Sequence, residues 1–159
     1  MKRELVSIVA EKVAYHDPDL SWIGKYSSKP DKRHNTVKRY PNGSRSKERE
    51  FQYFISCNAT TQQEAHKDHR RMNDYGNEWC MVGVRVVATF RTVRECGYSH
   101  EHRISSAGLW GIESDSNTSF FTQVANEEYS TLVSDLRAIG FSDAEIRAVE
   151  FDPEEMRNT

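Results

Sequence analysis

"EWCMVGVRVVATFRTV", residues 78–93, sets the fold class. Val82, Val84, Val86, Ala88 and Phe90 fall at every second position, with Arg85, Thr89 and Arg91 between them. A period of two places successive side chains on opposite faces of a strand, so this stretch reads as one long strand with one buried side. The turn "ECGYS" (95–99) then folds the chain back onto a partner strand running from His102 through Ile112.

Upstream, Leu5 to Tyr15 alternates weakly and reads as a further strand, closed by "HDPD", where Pro18 removes a backbone donor. "YPNGSRS" (40–46) carries the Asn-Gly pair that supplies the positive φ angles of a tight hairpin, with arms near 36–40 and 50–56. "TTQQEAHKDHRRMNDYG" (60–76) reads as a surface helix. Thr61 and Glu64 make a capping box at its start, and Gly76 marks its end. A second helix reads from an Asn126 cap to Gly140 with a stripe of Leu132, Val133, Leu136 and Ile139. Phe141 packs back onto it, and Ser142 with Glu145 caps a short last helix. Residues 151–159, "FDPEEMRNT", read as an acidic tail. Together these elements predict a single α+β domain over 1–159: an antiparallel sheet of four to five strands with helices on one face.

Bulk composition narrows the class. A chain of 159 residues buries roughly 70% of the surface its unfolded form exposes. It has no apolar run near the ~18 residues a membrane span requires, and "MKRELVSIVAEKV" lacks the continuous apolar core of a signal peptide. Cys57, Cys80 and Cys96 are odd in number and widely spaced. They read as reduced, mostly buried thiols of a cytoplasmic protein.

The net charge of −2 conceals a gradient. Residues 1–50 hold 12 Lys/Arg against 7 Asp/Glu, and residues 104–159 hold 3 against 11. Two readings stay open: the ends neutralise each other within the fold, or one face is offered to a partner of opposite sign. Between 25 and 49 nine basic residues meet two acidic ones, interleaved with Tyr26 and Tyr40. Lys25, Lys29, Lys32, Arg33, Lys38, Arg39 and Arg45 are therefore candidate contacts for a partner, including a weak nucleic-acid contact. Against a dedicated nucleic-acid binder stands a sequence pI near 6.3.

Four elements in one order carry a resemblance: "HDPDLSWIGKY" (16–26), "DHRRMNDYGNEW" (68–79), "SSAGLWGIESDS" (105–116) and "LRAIGF" (136–141). Together they resemble a family of small uncharacterised proteins of phages, prophages and other bacterial mobile elements. Ala107 departs from that family's pattern, which has a second glycine there. The resemblance implies a mobile-element origin, a shared fold and residence in the cytoplasm of a host bacterium. It transfers no reaction and no site.

Candidate chemistry is sparse. His66 and His69 share a helix face, His100 and His102 share a strand face, and Glu113 and Asp115 repeat the latter spacing. Such groups suit a metal-dependent hydrolase or nuclease, but eleven residues of extended strand would hold His102 and Glu113 about 36 Å apart. Ser105, Ser106, Ser114 and Ser116 lack a nucleophile elbow and read as turn or capping hydroxyls. "GLWG" does not match a phosphate-cradling loop. No metal or cofactor is called for. In "SSAGLWGIESDS" the alternation places Ile112 on the same side as Trp110, and the run reads first as a structural corner. With Glu113 and Asp115, Trp110 joins the candidate partner contacts. The leading expectation is a non-enzymatic mobile-element protein that binds and inhibits a host protein or nucleoprotein complex, a defence nuclease of the CRISPR type. The alternatives are the metal-dependent hydrolase and a small nucleic-acid-binding module.

Overall fold

A computed structural model describes residues 1–39 and 51–159. In chain order the elements are β1 (Lys2–Ala14), β2 (Gly24–Ser27), β3 (Thr36–Lys38), β4 (Tyr53–Ser56) and α1 (Gln62–Asn73). They continue with β5 (Met81–Val93), β6 (Ser99–Ser105), β7 (Leu109–Glu113), α2 (Thr118–Ala138), α3 (Asp143–Arg147) and β8 (Met156–Asn158). The fold is α+β. The chain gathers into two compact units: residues 1–16 with 80–159, and residues 17–79. The stretch read as a basic insertion, 25–49, belongs to the second.

In the first unit β5 is the organiser. Thirteen residues span about 43 Å, long enough for two short strands to share one of its edges. The antiparallel partner β6 pairs with residues 87–93 and β7 with residues 81–84, while β1 pairs antiparallel along the other edge. The single return strand expected from His102 to Ile112 is thus two strands with a break at 106–108. Val82, Val84, Val86 and Ala88 are buried on one face, as the alternation requires. A bulge in β1 between Leu5 and Ser7 inserts Val6 as an extra, exposed residue, so Leu5 and Ile8 both reach that face.

Helix α2 covers this face with Phe121, Val124, Ala125, Leu132 and Leu136, joined by Phe141 and, from α3, Ile146. Each large apolar side chain buried here contributes roughly 1.5–3 kcal/mol. The helix begins about two and a half turns before the expected Asn126 cap. Asn117 caps it, its side chain accepting from the Ser119 N–H, because the stripe continues back through Val124 to Phe121. Its end matches the reading: Gly140 at φ +102° donates its N–H to Arg137, and Phe141 donates to Leu136, the paired bonds of a left-handed helix stop. Ser142 and Glu145 form the capping box reciprocally.

The acidic tail is not a tail throughout. Met156–Asn158 adds to β1 as a parallel edge strand, so the sheet is mixed. Phe151 stacks on Tyr129 at 4.3 Å. Three residues are too few to display an alternation, and the backbone of β1 supplies the pairing.

The second unit has its own three-stranded antiparallel sheet, ordered β2-β4-β3, with α1 on one face. The expected hairpin is present as β3 paired with β4; its Asn-Gly turn lies outside the described residues. The strand β2 had no alternation long enough to be read. Phe54 fills the interface with α1, stacked on His69. Thr61 caps α1 by accepting from the Glu64 N–H. Glu64, however, returns its carboxylate to Thr60, one residue earlier than a capping box requires. Cys57 and Cys96 are exposed and Cys80 half-buried, against the expectation of mostly buried thiols. Among the described residues no helix is long and apolar enough to cross a membrane.

Candidate functional site

The structure divides the candidate contacts between the two units. Six of the seven basic candidates lie in the described part of the second unit; Arg45 lies outside the described residues. Pairing register places Lys25, Ile55 and Thr36 in one row and Ser27, Tyr53 and Lys38 in the next row on the same face. Lys25 and Lys38 are exposed there, beside a half-buried Tyr53. Lys29, Lys32 and Arg33 are exposed in the β2–β3 connection. Asp31 sits among them. A hydrogen bond from Asn35 holds its carboxyl below the usual value, with Lys32 and Lys25 acting in the same sense.

Arg39 goes to the other face, its guanidinium 4.0 Å from the Tyr26 ring centroid. Burial pushes the Tyr26 phenol up, and Arg39 works against that shift. His69 is driven down from the ordinary imidazole value, first by burial and then by the charges of Arg39 and His66. By count the second unit holds 12 Lys/Arg against 9 Asp/Glu and the first 10 against 15, so the charge gradient of the sequence becomes a division between units.

Trp110, Glu113 and Asp115 belong to the first unit. "SSAGLWGIESDS" is the splice between β6, β7 and α2, and its polar groups are spent on making that splice. Ser106 both donates its backbone N–H to Val86 and accepts the Val86 N–H on its hydroxyl. Ser114 does the same with Cys80. These two hydroxyls continue the ladder where the strand pairing stops. The Gly108 N–H donates to Glu128 of α2 at 2.8 Å. Gly111, at φ +81°, is the extra residue of a bulge opposite the Val82–Gly83 step. The bulge reverses the expected phase: Ile112 enters the core, while Trp110 goes to the opposite face. There its ring lies across Gly83, whose missing Cβ would stand 2.1 Å from the indole. The indole N–H donates to the Ala107 carbonyl, and the ring meets Tyr15 at 6.0 Å.

That opposite face also holds Glu11, Arg85 and Arg103. Glu11 is only 3% exposed, and its carboxylate accepts from Arg85 Nε and Arg103 Nη2, each at 2.9 Å. Arg85 was read as lying opposite the core. What the sequence lacked was the register that pairs it with Glu11, 74 residues away.

Within the first unit His100 and His102 do not converge with Glu113 and Asp115. His102 stacks on Phe90 and shares a hydrogen bond with Thr92, and His100 packs edge-on against it at the far end of β6 from β7. Among the described residues no three His, Cys, Asp or Glu side chains gather at metal-ligand spacing.

No protein-family model, curated protein or solved structure matches this chain. The described residues place Lys25 and Lys38 exposed on the sheet of one unit, and in the other set Trp110 and Tyr15 on the same sheet face as Arg85 and Arg103, which Glu11 anchors.

Proposed function

We propose that this chain is a binding protein of a phage or other mobile element that acts by occupying a surface of a host macromolecule, as an inhibitor of a defence nuclease complex. The observation that carries this reading is the separation of charge between the two units, with Lys25, Lys29, Lys32, Arg33 and Lys38 exposed on the basic one. Opposed patches steer a protein onto complementary patches of a partner and fix its orientation there. The basic unit suits an acidic rim, and the acidic helices and tail suit a groove that otherwise holds nucleic acid. The groups best suited to chemistry support binding over turnover, because Glu11, Ser106 and Ser114 are each committed to structural bonds. The resemblance of "GLWGIESDS" to mobile-element proteins directs the reading to a host target.

The test is infection. Expression of the chain in a bacterium with an active CRISPR nuclease is expected to restore plaquing of a targeted phage. Reversing Lys25, Lys29, Lys32 and Arg33 to Glu is expected to abolish the effect while circular dichroism stays unchanged. Unchanged restriction across nuclease types, or turnover of a substrate by the purified chain, overturns the proposal.

A further inference from the structure

The face of the five-stranded sheet opposite α2 carries two recesses. One, about 560 Å³, is lined by Val13, Ala14, Tyr15, His16 and Trp110. The other, about 190 Å³, is lined by Arg85, Val87, Arg103 and Ser105. Gly83, beneath the Trp110 ring, and Arg85 are two residues apart on one strand, about 7 Å, the scale of one nucleotide.

We propose that this face binds single-stranded nucleic acid, with bases stacking on Trp110 and Tyr15 and phosphates held by Arg85 and Arg103. The aromatic pair is exposed, each residue at 40%, although both side chains are large and aromatic. A base offers a π-face to either ring, and stacking of this kind tolerates any sequence. The arginines are prepared for anions. Arg85 spends its Nε–H and Arg103 one Nη2 donor on Glu11. Of the five N–H donors each guanidinium carries, the rest remain on a planar group that suits phosphate oxygens. The Arg103 side chain is 60% exposed even while anchored. The Ser105 hydroxyl lines the same recess.

Two guanidiniums on one carboxylate leave the cluster at +1. Register adds Arg157 beside Glu11, sets Arg91 between Glu4 and Glu101, and places Glu113 on the same face through its pairing with Met81. The acids of α2 and α3 belong to elements that cover the other face. The exposed aromatic pair therefore lies on one face with arginines whose acidic neighbours are Glu4, Glu11, Glu101 and Glu113, and the anchored Arg85–Glu11–Arg103 cluster is the part of it that carries net positive charge. This proposal uses none of the lysines of the proposed function, so each reading fails or stands alone.

The experiment is fluorescence anisotropy of a labelled 12-mer oligo(dT) with the full chain across a salt series, with duplex DNA and free thymidine monophosphate as further arms. Single-strand binding that weakens with salt is expected, with duplex binding at least tenfold weaker because its bases cannot stack. Arg103→Gln is expected to weaken binding about tenfold and to reduce the salt slope by about 0.7. Tyr15→Ala is expected to weaken it by a similar factor at unchanged salt slope. Trp110→Phe, which keeps a stacking ring, is expected to retain binding but to lose the quench of tryptophan emission. Equal affinity for duplex, no binding at low salt, or binding abolished by reversing Lys25, Lys29, Lys32 and Arg33 but untouched by Arg103→Gln overturns the proposal.

Discussion

Adding one methyl group at Gly83 tests how the aromatic shelf is built. The Cβ of Gly83→Ala would stand 2.1–2.6 Å from three atoms of the Trp110 ring, so the indole must leave. Trp110 is 40% exposed. A tryptophan buries up to about 250 Å², so roughly 150 Å² is at stake here. At about 25 cal/mol per Å² the displacement costs up to ~4 kcal/mol, less whatever the moved ring covers again. Gly83→Ala is therefore expected to destabilise by ~2–4 kcal/mol, and Trp110→Ala by a comparable amount through the same lost contact. The double variant decides the matter. With the ring gone the three nearest obstacles to the alanine are removed, and glycine inside a strand is itself unfavourable by ~0.5–1 kcal/mol. Gly83→Ala should then change sign and stabilise the Trp110→Ala background. Urea unfolding followed by far-UV circular dichroism, with m-values checked for constancy, measures the coupling. Additive costs from the two substitutions would refute the stacking of Trp110 on Gly83.

Other outcomes follow from local geometry. Gly140→Ala forces a side chain into a left-handed position and against Arg3, 2.8 Å away. It should cost ~1–2 kcal/mol and lower the melting temperature by several degrees in calorimetry. Ser142→Ala removes one arm of the capping box and should cost about 1 kcal/mol by urea titration, whereas Ser142→Asp should restore most of it. His69 is held below the ordinary imidazole value, so the unfolded chain binds its proton more readily than the folded one. Its contribution is complete above about pH 6.5 and is lost as pH falls through the lower folded value. His69→Gln should flatten the fall in urea midpoint between pH 7.5 and 5, and an unchanged fall in the variant would exclude this origin.

The signals that were legible in the sequence are those that act within a few residues. The alternation of Val82 to Ala88 is a property of one strand. The caps at Thr61 and Ser142 bond three residues on, and the stop at Gly140 needs only the last turn of α2. None of them depends on the element that packs against it. Where α2 begins was misread because Asn117 and Asn126 are equally good local caps. Only the core, by taking Phe121 and Val124, favours the earlier one.

Of the candidate contacts, the lysines were visible because charge is a matter of composition, and Trp110 because it stands among glycines. Their neighbours were not. Glu11, Arg85 and Arg103 are ordinary members of polar strand positions until pairing register brings them together across 74 and 92 residues. Trp110 and Ile112 were expected on one side until the extra residue Gly111 separated them. The local chemistry of this sequence thus determined its longest strands, its caps and its charge. Which side chains meet on the sheet was decided by strand register, because a one-residue shift turns every following side chain to the other face.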